Sequence, residues 1–243
     1  MKNFDYTATN YKFKERSNFD GGLREYFLKV YSFMSLGLLI TAISAFAVLN
    51  IPVLTQMMFN TQNGYTGLTG IGQIISFSPL IMSIYFVYKF NDMEADSVKL
   101  WFSVYAVLMG MSLSSLGIIY TGTSIVRTFF ICSSMFGAMS IYGYSTKKDL
   151  TAMGSFMFMG LIGILICSVV NIFLQSAALE FVLSIVGVIV FTGLIAYDTQ
   201  KLKALYYAGG NNEKLGLMGA FILYLDFINL FVFLLRFMGN KRN

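Results

Sequence analysis

The sequence predicts an all-α integral membrane protein with seven transmembrane helices, and three observations carry that prediction. Hydrophobic residues fill 56% of the 243 positions and charged residues only 12%, about half the charged share of an ordinary soluble domain. Seven apolar runs reach the roughly 20 residues that a helix needs to cross a bilayer core. These runs are continuous, whereas outer-membrane strands alternate over about ten residues.

Residues 1–25 mix Lys12, Lys14, Arg16 and Arg24 with Asp5, Glu15, Asp20 and Glu25 and show no apolar period, so they read as a polar N-terminal tail. The transmembrane domain then occupies residues 26–243. Its first apolar run begins too late and extends too far for a cleavable signal peptide, and it is expected to remain as an anchor. The expected spans are Phe27 to Asn50, Ile71 to Phe90, Leu100 to Tyr120, Ile125 to Ser145, Leu150 to Leu174, Ala178 to Asp198 and Leu215 to Met238. Pro52 stands at the exit of the first span and Pro79 inside the second, where a kink is expected. Gly37, Thr41 and Ala45, and again Gly110 and Ser114, place small residues four apart, which suits close helix approach in lipid.

Orientation follows from the basic residues of the connections. The tail and alternate connections carry twelve Lys and Arg, while residues 51–70, 121–124 and 175–177 carry none. The N-terminus is therefore expected in the cytoplasm. Arg236, Lys241 and Arg242 run against the same rule at the far end of the seventh span, which is still expected to cross.

Composition also excludes several chemistries. The chain has no His, so Ser-His and Cys-His catalysis and His-ligated metals are absent, and any proton chemistry falls to carboxylates. Cys132 and Cys167 lie in apolar runs without metal or disulfide spacing. The net charge of +5 is spread over membrane connections, which makes it a topology signal and not a nucleic-acid surface.

An ionisable side chain at bilayer depth costs at least ~2.5 kcal/mol on insertion scales. Lys29, Lys89, Arg127, Glu180 and Arg236 lie near span ends, where long side chains reach water. Asp226 does not: it sits about 16 Å into the last span. Asp198 ends the sixth span as drawn, but the helical pattern can continue to Leu205, which would draw it into the membrane too. Two carboxylates a few ångströms apart cannot both ionise easily, so they share a proton and titrate as a unit. Once ionised they repel each other and offer hard oxygen ligands suited to Ca²⁺, which makes Asp198 and Asp226 the candidate proton sensor and cation ligands. The plainer alternative is that each aspartate hydrogen-bonds a polar neighbour such as Tyr197 or Asn229.

The flanking residues narrow the choice. The run from Phe191 to Lys203, containing Tyr197-Asp198-Thr199-Gln200-Lys201, and the run Leu223-Tyr-Leu-Asp226-Phe-Ile-Asn229 followed by Leu234-Leu-Arg236-Phe-Met-Gly239 resemble the Bax inhibitor family, also called the transmembrane Bax inhibitor motif family. The resemblance is strongest to small bacterial inner-membrane members. It implies two three-helix layers around a central C-terminal helix, with a di-aspartyl proton sensor controlling a Ca²⁺ leak. Asp198 and Asp226 match the family's acidic pair, and Lys89 occupies the region of a basic counter-ion of the closed state, as a point charge where Arg would bind bidentately.

The expected function is thus a pH-sensitive calcium leak of the bacterial inner membrane, not an enzyme, with no cofactor beyond Ca²⁺ as the permeant or bound ion. Its expected partners are the lipid bilayer, Ca²⁺ and protons. A non-catalytic regulator that binds a membrane protease or a stress partner is the alternative. An intramembrane aspartyl protease is a third: two carboxylates sharing a proton can do acid-base work, but the second aspartate lacks a Gly-x-Gly-Asp context and no Pro-Ala-Leu triplet occurs.

Overall fold

The computed structural model describes residues 21–62, 65–209 and 212–242. In chain order it contains α1 Gly21–Asn50, α2 Pro52–Met58, β1 Phe59–Gln62, β2 Tyr65–Leu68, α3 Gly70–Lys89, a 3₁₀ turn Phe90–Asp92, α4 Ala95–Ile119, α5 Gly122–Ser145, α6 Thr151–Leu174, α7 Ala177–Gly209 and α8 Glu213–Met238. Seven of these helices, all but α2, are long and apolar enough to cross a membrane. All seven expected spans are present.

The differences lie at span ends. Helix α1 begins at Gly21, inside the expected tail, because Leu23, Tyr26, Phe27 and Val30 form a buried stripe at helical spacing. The Tyr26 ring lies 5.4 Å from that of Tyr206, and its hydroxyl donates to the Leu215 carbonyl at 3.5 Å. Residues 1–20 of the expected tail fall outside the described residues. Helix α7 runs eleven residues past Asp198 to Gly209, which places that carboxylate inside the helix. The connection after α1 is structured: Pro52 takes the first position of α2, where a missing N–H costs nothing, and β1 pairs antiparallel with β2.

Pro79 sits inside α3 without ending it. A proline leaves the carbonyl four residues earlier unpaired, and the Ser78 hydroxyl donates to that carbonyl, Ile75 O, at 2.8 Å.

Spans α1, α3 and α4 form one side of the bundle, spans α5, α6 and α7 the other, and α8 packs against α1, α4, α5 and α7. Of the most apolar stretch of α8, 61% is buried, against 6% for α6, so α8 is the core and α6 a lipid-facing strut. Small residues set these contacts, as their spacing predicts. Gly37 faces the Phe102 and Tyr224 rings, and Gly110 lies against the Thr41 backbone. The buried Thr41 hydroxyl donates to the Ala106 carbonyl at 3.1 Å and meets Tyr224 Oη at 2.6 Å, tying α1, α4 and α8 together. Cys132 is buried and its thiol donates to the Phe227 carbonyl at 3.6 Å; Cys167 is exposed on α6.

The last described residues show that α8 runs the full length of the bundle. Thr121 N donates to the Asn240 carbonyl at 3.1 Å and Arg242 N to the Ile119 carbonyl at 2.8 Å. The chain end therefore joins the α4–α5 connection, at the opposite end of the bundle from the start of α8.

Candidate functional site: two carboxylates between α7 and α8

Helices α7 and α8 close on each other because each carries glycines where the other is bulky. Gly219 of α8 receives Leu202, and Gly187 of α7 receives Phe233. Asp226 is roughly 20 Å along α8 from Glu213 and Asp198 roughly 16 Å along α7 from Gly209. Only three residues separate the two helices in sequence, so the carboxyls fall at nearly the same depth. They face each other across the interface, close enough to interact directly. Asp226 is only 6% exposed, and its second oxygen, Oδ2, is buried without a hydrogen-bond partner. Asp198 is half-buried and feels the charge of Lys201, one turn further along α7.

Two carboxylates can hydrogen-bond each other only if one carries a proton, because an ionised carboxylate only accepts.

The other expected residues do not join the pair. Asn229 Nδ2 donates to the Leu225 carbonyl of its own helix at 2.8 Å. Tyr197 lays its ring over Gly154 of α6, with Lys201 Nζ 6.0 Å from the ring centroid. Lys89, expected as the counter-ion, is instead paired with Asp92 at 3.4 Å and is 42% exposed. The reason is depth. Lys214, in the first turn of α8, reaches the Asn91 carbonyl at 2.9 Å and the Phe90 ring at 4.9 Å, so the end of α3 is level with the start of α8. Asp226 lies roughly 18 Å further along the axis.

Below the aspartates, α7 is clamped by contacts that the sequence did not reveal. Gln200 Oε1 accepts from Leu150 N at 2.8 Å and its Nε2 donates to the Lys148 carbonyl at 2.8 Å. Lys203 donates to the Tyr144 carbonyl at 3.0 Å. On the neighbouring face, Thr199 Oγ1 and Ser140 Oγ are 3.1 Å apart, and Ser140 in turn bonds Tyr31 of α1. A polar side chain in an apolar run was the available signal for Gln200, but its partners are backbone atoms about fifty residues away. In the same α5–α6 connection, Asp149 Oδ1 accepts from Thr151 N and Oγ1 at 2.9 and 2.6 Å, which holds that carboxyl below the usual carboxylate range.

The comparison with known proteins decides the family. Residues 23–243 match the family described as Inhibitor of apoptosis-promoting Bax1. The chain belongs to the Bax inhibitor family. It is 53% identical to protein RP147 of Rickettsia prowazekii over 98% of this chain and 99% of that one. It is 42% identical to the inner membrane protein YbhL of Escherichia coli K12, over 91% and 94% respectively. A Caulobacter vibrioides protein is 40% identical over 92% of this chain and 91% of its own. In this member of the Bax inhibitor family, the two aspartates lie in the interface of α7 with the most buried span, α8.

No group of three or more His, Cys, Asp or Glu side chains occurs among the described residues. A divalent cation at Asp198 and Asp226 would therefore complete its shell with water and backbone oxygens. A cleft of about 130 Å³ between α1 and α4, lined by Phe33, Ile40, Phe102 and Leu217 with Lys99, includes neither aspartate.

Proposed function

We propose that the chain is a pH-sensitive cation leak of the bacterial inner membrane, with Ca²⁺ as its characteristic ion and the Asp198–Asp226 contact as its gate. The observation that carries this reading is the close approach of two carboxyls in the α7–α8 interface, one of them, Asp226, buried. The inner-membrane location is supported by the likeness to YbhL.

While a proton bridges the carboxyls, α7 and α8 are bonded and the interface is closed. When the proton leaves, two like charges face each other; at 4 Å and an effective dielectric constant near 20 their repulsion is about 4 kcal/mol. That repulsion works against the packing of the two helices, and the freed oxygens then suit a hard cation. Two carboxylates without a third give weak binding, which favours passage over storage. Flux therefore rises as pH rises. The C-terminal strap to the α4–α5 connection holds the far end of α8, so the motion is a swing of its inner half.

The test is Ca²⁺ entry into liposomes carrying the purified chain, measured at several pH values. Entry above that of protein-free liposomes, increasing with pH, is expected. Equal entry with and without protein overturns the reading.

A further inference from the structure

The two ends of the bundle treat their charges differently. Every ion pair within 4.0 Å among the described residues lies at the end where α8 begins: Lys29 with Glu25, Lys89 with Asp92, and Lys99 with both Asp96 and Glu213. The opposite end carries Arg127, Arg236, Lys241 and Arg242, none of them ion-paired among the described residues and all exposed. The acid there is Glu180.

The fold gathers these four cations around one spot. Arg242 N bonds the Ile119 carbonyl, Lys241 bridges to Tyr120, and Asn240 N donates to Ser124 Oγ at 3.0 Å. Arg127 follows Ser124 by less than one turn of α5. Arg236, one turn before Asn240, lies 5.8 Å from the centre of the Phe233 ring, and the Tyr120 hydroxyl feels both its charge and that of Glu180. Apolar side chains flank the cations: Val126, Phe129 and Phe130 beside Arg127, and Phe237 and Met238 beside Arg236, are all exposed.

We infer that this cluster is a docking surface for anionic phospholipid of the leaflet that meets it, with the headgroup phosphates on Arg127, Arg236, Lys241 and Arg242 and the acyl chains on the flanking aromatic side chains. Unpaired cations bordered by lipid-facing rings occupy the depth at which headgroup phosphates lie. Guanidinium groups bind phosphate oxygens in pairs, and each basic residue near an anionic surface adds to the attraction. A soluble acidic partner would satisfy the charges but would leave the flanking rings without a role.

The test titrates the full chain in neutral detergent with phosphatidylglycerol or phosphatidylcholine and counts bound lipid by native mass spectrometry. Wild type is expected to hold phosphatidylglycerol at least about tenfold more tightly than phosphatidylcholine. The combined Arg127→Gln, Arg236→Gln, Lys241→Gln and Arg242→Gln variant loses that preference, while Lys147→Gln with Lys148→Gln, at the other end, keeps it. A charge-preserving variant, Arg127→Lys with Arg236→Lys and Arg242→Lys, keeps most of it and guards against misfolding. An unchanged preference in the four-fold glutamine variant, or no preference in wild type, overturns the inference. Wild type that binds polyglutamate yet does not discriminate between the lipids overturns it in favour of an acidic protein.

Discussion

The Asp198 and Asp226 carboxyls face each other, close enough to interact directly, across the interface of α7 and α8, the two transmembrane helices with the most buried apolar stretches among the described residues. Their effects on stability must therefore be coupled. Asp198→Ala leaves the buried Asp226 carboxyl without its partner and Asp226→Ala does the same to the half-buried Asp198, whereas the double substitution removes both. The double variant is expected to cost about 1 to 3 kcal/mol less than the sum of the singles, measured by unfolding in detergent. Strict additivity would mean that the carboxyls do not interact.

Lys89 pairs with Asp92 at the bundle end, and exposed pairs of this kind contribute little, in the range of about 0 to 1 kcal/mol. Lys89→Gln is expected to leave both stability and the pH profile of ion flux nearly unchanged. A displaced profile would show that Lys89 reaches the aspartates in another conformation.

The spans were legible in the sequence because a bilayer imposes a length: about 20 apolar residues cannot be disguised. The two aspartates were legible for the complementary reason, since a short charged side chain at that depth stands out against its surroundings. The start of α1 was hidden because charged residues on its exposed face mask the buried stripe of Leu23, Tyr26, Phe27 and Val30. The partner of Lys89 was missed because a resemblance transfers a position but not its depth relative to Asp226. The clamp by Gln200 was missed because backbone acceptors leave no trace in side-chain spacing.

Gln200 satisfies two backbone groups of the α5–α6 connection at once. Gln200→Ala is expected to cost about 2 kcal/mol, since each bond is worth around 1 kcal/mol and Leu150 N is left buried without its acceptor. Faster proteolysis at residues 146–150 would accompany the loss. Unaltered stability would mean that the connection holds its place without the clamp.

Asp149 offers a pH dependence outside the membrane-spanning segments. The bonds from Thr151 hold its carboxyl below the usual range in the folded chain, so its stabilisation is present above the unfolded value of about 3.9 and is lost as pH falls through the folded value. The group is largely exposed, so the contribution is under ~1 kcal/mol. The gap in melting temperature between wild type and Asp149→Ala is expected to be small at about pH 6 and to shrink below about pH 4. A gap that stays constant across this range would contradict the assignment.

The most direct test of the gate compares Ca²⁺ flux through wild type and Asp226→Asn in liposomes across a pH series. The amide keeps the shape and can still bond Asp198, but the two side chains can no longer become a pair of facing negative charges. Flux that rises with pH in wild type and is low and flat in Asp226→Asn is the expected result; superimposable profiles would contradict the role given to the two carboxylates.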